Sequence, residues 1–325
     1  MNNYSWLQQK LHQLALSSQF MREITFDVES SLISTEEIYD NHVFIAGLAR
    51  SGTTILLNAV YNSNQFSSLS YKDMPFVLAP NLWSRLSFNK KDTNSVERAH
   101  GDGIKVSKES PEAFEEVFWN TFDENDQSIK EKFHNYVRLI NKKYKKKRYL
   151  SKNNQNIRRI EFISSIFPNS KILIPFRNPI QQSYSLLSQH QQFIESAKKD
   201  KFVSDYMRWI GHTEFGPNYI PIYNKNLIFE DYMDINHWLE QWSLTYQYCY
   251  EKLKATKNIH FICYEQICSS KDYWSDVLNL LCLENQVDFK FLESQKEVTF
   301  DIDNRISRKG LSLYSELLQY RFRNY

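Results

Sequence analysis

The sequence predicts an α/β fold, a three-layer sandwich in which a central parallel sheet is flanked by helices. Apolar segments of strand length recur along the chain and alternate with helical patterns, which is typical of a parallel sheet covered on both faces. The chain has 325 residues, of which 42% are hydrophobic, and it contains no internal repeat or low-complexity linker. This length fits one large domain or two small ones, and we predict a single domain over residues 1–325.

The individual elements follow from the apolar patterns in chain order. Strands are expected at residues 43–48, 148–152, 171–177 and 258–264. Helices are expected at residues 1–20, 53–62, 156–167, 235–255, 273–283 and 310–323. Pro179 is suited to the first turn of a further helix. Residues 62–149 fit the alternation less well, because they carry turns and a helical segment at 111–122. We expect this insertion to shape the substrate side of the site.

Composition excludes several classes of protein. The formal net charge of +2 gives no sign of a polyanion-binding protein, and we find no nucleic-acid motif. The four cysteines form no C-x-x-C pair, so we expect buried free thiols and no metal site. No apolar run approaches the ~18 residues of a membrane span, and residues 1–20 lack a signal-peptide pattern. We therefore expect a cytoplasmic protein without an integral membrane segment.

A basic run is the strongest local charge feature. Residues 141–159 contain nine lysines and arginines, so the rest of the chain is net acidic. Two interpretations remain open. A solvated helix face is the usual explanation of such a run, whereas a rim that attracts an anionic ligand is the functional one.

Residues 43–54, VFIAGLARSGTT, nearly form the phosphate-binding loop G-x-x-x-x-G-K-[ST]. Gly47 and Gly52 have the required spacing, and Thr54 occupies the Ser/Thr position, but Thr53 stands where the lysine should be. A strand, a glycine-framed turn and a helix N-terminus together form an anion site. The lysine that would reach the β- and γ-phosphates of ATP is missing, so this loop is expected to bind another anion.

Arg50 is the nearest cation in this loop, and with Ser51, Thr53 and Thr54 it would surround a single tetrahedral anion with donors. An ordinary strand–helix turn with a solvated arginine is the alternative. A second motif, IPFRNPIQQSYS, places Arg177 at a strand end and Ser185 in the next helix. Ligands bind at the carboxyl ends of such strands, so this motif is suited to a second phosphate. The alternative interpretation of this motif is that Arg177 only caps a helix and that Ser185 is an exposed serine without a ligand.

The two motifs together resemble those of the sulfotransferases. RSGTT at residues 50–54 resembles the family's 5′-phosphosulfate loop, and RNP at 177–179 with Ser185 looks like its 3′-phosphate motif. FPNSK at 167–171 resembles the segment that leads into the second strand, and SRKG at 307–310 resembles the late segment over the 3′-phosphate. The resemblance spans residues 43–310 with long unmatched gaps.

The resemblance implies a P-loop-NTPase-like fold and a donor co-substrate, 3′-phosphoadenosine 5′-phosphosulfate. No γ-phosphate and no metal ion take part in that chemistry, which agrees with the missing lysine. The residues that the resemblance assigns to donor binding are Arg50, Ser51, Gly52, Thr53, Thr54, Arg177, Ser185, Arg308, Lys309 and Gly310.

Sulfuryl transfer requires a cation for the leaving phosphate and a base for the acceptor hydroxyl. Lys152 is the candidate cation, because the family carries a catalytic lysine at this point, but no histidine follows it at the expected place. Two residues compete as the base. Asp73 lies about twenty residues after the loop, where some members of the family place an acidic base. The alternative interpretation is that Asp73 caps a helix. His100, near Asp102, could instead belong to a tight turn.

The function predicted in this way is transfer of a sulfuryl group to a hydroxyl of a carbohydrate or another small molecule. Two alternatives remain open at this point. One is a nucleotide-dependent kinase with a degenerate loop, and the other is a non-catalytic nucleotide- or glycan-binding protein of the same fold. The sequence assigns neither the acceptor nor the oligomeric state.

Overall fold

The computed structural model describes residues 5–33, 39–87, 96–97, 105–106, 109–253, 256–283, 289, 291 and 300–320. Within these ranges the strands are Val43–Ile45 (β1), Phe66–Ser67 (β2), Val96–Glu97 (β3), Lys105–Val106 (β4), Arg148–Lys152 (β5), Lys171–Phe176 (β6) and Ile259–Cys263 (β7).

Five of these strands form one parallel sheet, in the order β2–β5–β1–β6–β7. The short strands β3 and β4 pair separately and antiparallel. In the register of the main sheet, Ile45 of β1 lies opposite Lys152 of β5 and Leu173 of β6. Every residue of β7 is buried, as expected of a strand covered on both faces. The predicted central parallel sheet is therefore confirmed.

The described helices begin with Trp6–Ser17 (α1), Gln19–Ser31 (α2), Thr53–Tyr61 (α3), Pro80–Leu86 (α4), Glu116–Trp119 (α5), Ile129–Tyr144 (α6) and Ile160–Ile166 (α7). They continue with Pro179–Lys199 (α8), Lys201–Trp209 (α9), Ile235–Leu253 (α10), Tyr264–Ser269 (α11), Lys271–Leu280 (α12) and Asn304–Leu318 (α13).

Alternate residues of the same strands pack into different cores, which is the signature of three layers. On β1, Phe44 belongs to a cluster with Trp242 of α10 and Phe133 of α6. Its neighbour Val43 belongs to a cluster on the opposite side of the sheet with Leu57 of α3. Because side chains alternate across a strand, this division places helices on both faces of the sheet. The three-layer sandwich predicted from the sequence is confirmed.

Several element boundaries differ from the predictions for local reasons. The helix expected over 156–167 begins as a 3₁₀ helix at Asn154–Arg159, because the Asn153 side chain accepts from the Gln155 backbone N–H and starts the turn early. The helix expected from residue 310 begins at Asn304, because Asp303 caps it. The segment 111–122 is helical only over α5. Pro179 opens α8 as predicted.

Residues 62–149 contribute to the sheet as well as to its surroundings. Within this segment β2 pairs in parallel with β5 at the sheet edge, and α6 leads back to β5. The proposal that the remainder shapes the substrate side stays a prediction. None of the described helices is long and apolar enough to cross a membrane.

Candidate functional site

The first loop leaves β1 as a sharp turn that two residues with positive φ make possible. Arg50 has φ 66° and Gly52 has φ 94°, and α3 begins at the next residue, Thr53. Neighbouring residues in such a turn direct backbone N–H groups into a concave surface, to which the helix N-terminus adds partial positive charge. The sharp turn before a helix N-terminus is therefore present as the glycine spacing predicts, and anion binding there stays a prediction.

A Cβ atom would be crowded at Gly47 and would overlap a neighbouring ring at Gly52. A Cβ atom at Gly47 would lie 3.1 Å from the Pro175 backbone oxygen, so β1 and β6 approach closely at this point. A Cβ at Gly52 would overlap the ring of Tyr264, coming within 2.7 Å of its Cε2 atom. Tyr264 follows β7 directly and is buried. The loop therefore packs against Pro175 of β6 and against Tyr264, which follows β7.

Buried side chains from the helices α8 and α10 form hydrogen bonds with the loop, with the neighbouring strand β6 and with each other. Gln182 of α8 donates to the backbone oxygen of Ala49 at 3.0 Å, and Trp242 of α10 donates to the Gln182 amide oxygen at 3.0 Å. Tyr246 donates to the Pro175 backbone oxygen at 2.8 Å. Because these amide, indole and hydroxyl groups are buried and paired with one another or with the backbone, the bonds fix the path of the loop.

The hydroxyl residues of the loop are more buried than the sequence suggests. Ser51 is fully buried and donates from its hydroxyl to the Leu48 backbone oxygen at 2.8 Å. Thr53 and Thr54 are 3% and 7% exposed in the first turn of α3. The Ser51 side chain and its backbone N–H therefore both bond to Leu48 and close the turn. The assignment of the loop's hydroxyl residues to donor binding stays a prediction.

The two sequence motifs meet at one contact. Arg50 of the first loop donates from Nε to Ser185 Oγ at 3.0 Å, although the residues are 135 positions apart. Arg177 directly follows β6, with its guanidinium carbon 5.8 Å from the centre of the Tyr264 ring and its Nε 4.0 Å from Glu265. The two predicted phosphate sites are therefore adjacent at the carboxyl edge of the sheet.

Asn178 sets the start of α8 and its relation to the neighbouring helix. Its side chain accepts from the backbone N–H groups of Ile180 and Gln181, and its own N–H donates to Glu265 at 2.8 Å. The R-N-P motif thus combines an arginine, a helix cap and a helix-opening proline in three positions.

The late SRKG segment lies inside helix α13. Gly310 is buried, and a Cβ there would lie 3.4 Å from Pro179 of α8 and 3.3 Å from Ser243 Oγ of α10. Arg308 and Lys309 are exposed. The glycine therefore permits close packing of α13 near the second motif, while the assignment of the two cations to the donor stays a prediction.

Lys152 is placed beside the first loop by the parallel pairing of β5 with β1. It lies opposite Ile45, and the next residue, Asn153, donates its N–H to the Ile45 backbone oxygen at 3.1 Å. The carboxyl ends of parallel strands meet at one edge, so the lysine and the anion loop share that edge. Its position agrees with the predicted leaving-group role, which stays a prediction.

Sequence reasoning missed a histidine and a glutamate near Lys152. His212 and Glu214 lie after α9, with His212 Nε2 3.6 Å from Glu214 Oε2. Burial lowers the pKa of His212, the Glu214 carboxylate raises it, and the charge of Lys152 lowers it. The only sequence signal was the H-x-E spacing, and nothing in the chain order relates residue 212 to residue 152.

Asp73 lies in a fully paired buried cluster. Its carboxylate is 0% exposed and forms an ion pair with Lys143, itself 9% exposed. It also accepts from the Tyr144 hydroxyl and from the Ser70 backbone N–H, at the start of the 3₁₀ helix Tyr71–Asp73. These contacts account for Asp73 as a capping and ion-paired residue, and its role as base stays a prediction. His100 and Asp102 lie outside the described residues.

Several cations of the basic run 141–159 have defined partners. Arg159 is paired with Glu116 and Glu124, and Arg148 donates to the backbone oxygens of Asn41 and Leu281. Such contacts give part of the run a structural role that neither sequence interpretation included. In the part of the chain that the structure describes, no group of three or more His, Cys, Asp or Glu residues could hold a metal ion.

A family model described as "Sulfotransferase family" matches residues 42–274, which include the first loop, Lys152 and the R-N-P motif. No curated protein sequence matches the chain significantly.

Three solved structures are similar to this chain at low identity. Sulfotransferase STF9 from Mycobacterium avium is 11% identical, with 99% of this chain and 80% of that chain covered and a TM-score of 0.47. Sulfotransferase STF1 from Mycobacterium tuberculosis H37Rv is 11% identical, with 95% and 81% covered and a TM-score of 0.48. The sulfotransferase domain of the Synechococcus PCC 7002 olefin synthase is 11% identical, with 90% and 92% covered and a TM-score of 0.38.

Proposed function

The chain belongs to the sulfotransferase family, and on this premise we propose that it transfers a sulfuryl group from 3′-phosphoadenosine 5′-phosphosulfate to an acceptor hydroxyl. The acceptor is a carbohydrate or another small molecule. The observation that carries the proposal is the contact of Arg50 with Ser185, because it joins the two phosphate motifs into one surface. A donor with a 5′-phosphosulfate and a 3′-phosphate requires two adjacent anion sites.

The surroundings of the loop support a diphosphorylated nucleoside over a triphosphate. The lysine that a triphosphate loop uses is replaced by Thr53, which is 3% exposed. The donors offered instead are the turn backbone, Arg50 and, at the neighbouring strand end, Arg177. These groups neutralise two separate anions without a metal ion, and arginine suits each of them by its planar set of donors.

The proposed roles of the chain's own residues follow from where the strands end. The turn at residues 47–52 holds the 5′-phosphosulfate, and Arg177 with Ser185 holds the 3′-phosphate. Lys152 neutralises the charge that develops on the leaving phosphate oxygen as the acceptor oxygen attacks sulfur from the opposite side. Catalysis in this scheme rests on position and charge, as in phosphoryl transfer.

Calorimetric titration of the purified chain with adenosine 3′,5′-bisphosphate tests donor binding, run in parallel with and without Mg²⁺. We expect binding that Mg²⁺ does not change. Binding of ATP only, and only with Mg²⁺, would favour the kinase alternative instead.

Transfer of label from ³⁵S-labelled donor to a panel of glycans, small alcohols, phenols and tyrosine peptides tests the reaction. Label in at least one acceptor supports the proposal. Bisphosphate binding without transfer to any acceptor would favour the non-catalytic binding protein.

A further inference from the structure

The segment between α9 and the 3₁₀ helix Gly216–Asn218 holds an imidazole and a carboxylate side by side. Gly211, with φ 77°, turns the chain, and a Cβ there would come within 2.6 Å of Glu116 Cγ on α5. The ring of His212 stacks on Phe193 of α8, with centroids 5.1 Å apart and planes 9° apart. The Nε2 atom faces Glu214. The imidazole is therefore held in orientation by an aromatic ring and a carboxylate.

This segment is tied to the residues that directly follow Lys152. The Asn154 side-chain amide donates to Glu214 Oε1 at 3.4 Å, and the Gln155 amide donates to Thr213 Oγ1 at 3.0 Å. The Lys152 charge also acts on His212. Two hydrogen bonds from consecutive residues thus place the His212–Glu214 pair next to the strand end that carries the proposed leaving-group cation.

The other carboxylates in this neighbourhood have closer partners. Glu116 accepts from Arg159 through both oxygens and from Asn153 at 2.7 Å. Glu112 accepts from the Tyr71 hydroxyl at 2.8 Å and from the Ala113 N–H at 2.9 Å. These short contacts hold the two carboxylates in place and occupy their oxygens, although burial raises the pKa of Glu116 overall.

The contacts of the Glu214 oxygens, at 3.4 Å to Asn154 and 3.6 Å to His212, are longer than these. Both side chains of the pair keep some exposure, 14% for His212 and 13% for Glu214. The Nδ1 atom of His212 is buried, so a proton would enter the pair at His212 Nε2 or at a Glu214 oxygen. The buried Asp73, by comparison, is 0% exposed and carries an ion pair. A base must reach the acceptor hydroxyl, so the His212–Glu214 pair is better placed for that task than Asp73.

Burial, more than the surrounding charges, is what favours the neutral form of the His212 imidazole. Burial is the largest influence and lowers its pKa, Glu214 and Glu112 raise it, and Lys152 lowers it. A neutral imidazole is the form that accepts a proton, and a nearby carboxylate stabilises the imidazolium that results.

We propose that the His212–Glu214 pair accepts the proton of the acceptor hydroxyl. This inference rests on the proposed sulfuryl transfer and assigns the base that the sequence left open. The hydroxyl O–H bond breaks and its proton moves to the pair, while the freed oxygen forms a bond to sulfur. The bond between sulfur and the bridging oxygen breaks, and its electron pair stays on the phosphate oxygen beside Lys152.

The variants His212→Asn and Glu214→Gln test the proposal, with His134→Asn and Glu195→Gln as matched controls outside the site. The readouts are label transfer to the best acceptor of the panel and the Kd of adenosine 3′,5′-bisphosphate. For His212→Asn we expect kcat to fall by roughly 10²–10⁴-fold, the usual contribution of general-base catalysis. The bisphosphate Kd should change less than about twofold, which also establishes that the variant is folded.

The pH profile separates proton transfer from positioning. The wild-type kcat/KM should fall at acid pH as the imidazole protonates, and this limb should be absent in His212→Asn. In Glu214→Gln the limb should move to lower pH, because removing the carboxylate removes an influence that raises the pKa of His212.

Wild-type-like turnover in both variants, with active wild-type enzyme, would overturn the assignment of the base and leave the proposed function standing. If kcat/KM of His212→Asn still falls at acid pH as in the wild type, the assignment of the base is likewise overturned. A wild-type chain that binds no bisphosphate and transfers no label would instead overturn the proposed function, and this inference with it.

Discussion

Arg50 Nε lies 3.0 Å from Ser185 Oγ, so a residue of the first loop is bonded to a residue in the second turn of α8. The loop follows β1 and the helix follows β6, and these strands are neighbours in the sheet. Parallel strands that end at one edge bring their following segments together there. The contact therefore couples the two motifs, and each is expected to affect binding at the other.

Removing either side chain of this contact should weaken adenosine 3′,5′-bisphosphate binding. For Arg50→Ala we expect the Kd of adenosine 3′,5′-bisphosphate to rise by roughly 10- to 100-fold, since a charge-assisted hydrogen bond contributes about 1.5–3 kcal/mol. For Ser185→Ala a loss of about threefold to tenfold is expected. The double variant should bind better than additivity of the two losses predicts, because the residues are in contact. Ser196→Ala, an exposed serine of the same helix, is the calorimetric control.

Lys152→Ala should lower turnover more than nucleotide binding. The proposed role is stabilisation of the charge that develops on the leaving phosphate oxygen, so kcat should fall by roughly 10²–10³-fold. The bisphosphate carries the same charge on its 5′-phosphate, so its Kd should also rise, but by a smaller factor. Lys142→Ala, an exposed lysine of the basic run, is the control for general charge. Equal effects of the two variants in the label-transfer assay would favour an electrostatic rim and remove Lys152 from the mechanism.

The sequence predicted the parallel sheet and the position of the anion loop, because both rest on short local patterns. Apolar strands such as β7 and the spacing of Gly47 and Gly52 are visible within a dozen residues. The order of the motifs then placed Arg177 and Lys152 at the same sheet edge, since parallel strands share that edge.

The His212–Glu214 pair could not be predicted in the same way. It reaches Lys152 through a turn at Gly211 and through side-chain contacts with Asn154 and Gln155, which no periodicity encodes. The Lys143–Asp73 ion pair is a similar case, because it joins residues 70 positions apart that lie on no common strand. Tertiary contacts between irregular segments are set by the whole fold and leave no local pattern.

Gly52→Ala should impair both stability and nucleotide binding. Its φ of 94° is costly for alanine, and the new methyl group would overlap the Tyr264 ring. We expect a loss of about 1–3 kcal/mol in the free energy of unfolding and a clear loss of bisphosphate binding. The variant Tyr264→Ala loses a buried ring of its own, so it is the reference for the double variant Gly52→Ala/Tyr264→Ala, in which no overlap is possible. Equal stability of these two variants, measured by urea unfolding, would show that backbone strain plays no part.

Asp73→Asn distinguishes a structural carboxylate from a catalytic one. It leaves the buried Lys143 ammonium without its ionic partner, so we expect a loss of about 3–5 kcal/mol in the free energy of unfolding. The label-transfer rate per folded molecule should stay within a few-fold of wild type, measured below the unfolding temperature. A 10²-fold or greater fall in kcat with intact bisphosphate binding would instead make Asp73 the base and contradict the assignment to His212 and Glu214.

Buried histidines should make the fold acid-sensitive. His42 accepts the Tyr149 backbone N–H at 3.0 Å, and burial, with a smaller contribution from Arg148, lowers the pKa of His42 from 6.5 to about 3. Between these two values the unfolded chain binds a proton that the folded chain does not. The stability that His42 contributes is therefore intact above pH 6.5 and falls by about 1.4 kcal/mol for each pH unit below it, until about pH 3. Burial lowers the pKa of His260 to about 3 as well, so the same argument applies there.

The variant His42→Asn isolates this effect, because an amide oxygen can accept the same N–H but does not titrate. Urea unfolding at pH 7.5, 5.5 and 4.5 should show a shallower decline of stability for the variant than for the wild type. Between pH 5.5 and 4.5 the difference should be about 1.4 kcal/mol, which corresponds to one proton taken up on unfolding. At pH 7.5 the variant should be the less stable of the two, because the packing of the imidazole against Phe167, 4.7 Å between ring centroids, is lost. Parallel pH dependences of the two proteins would mean that His42 is protonated equally in the folded and unfolded chains.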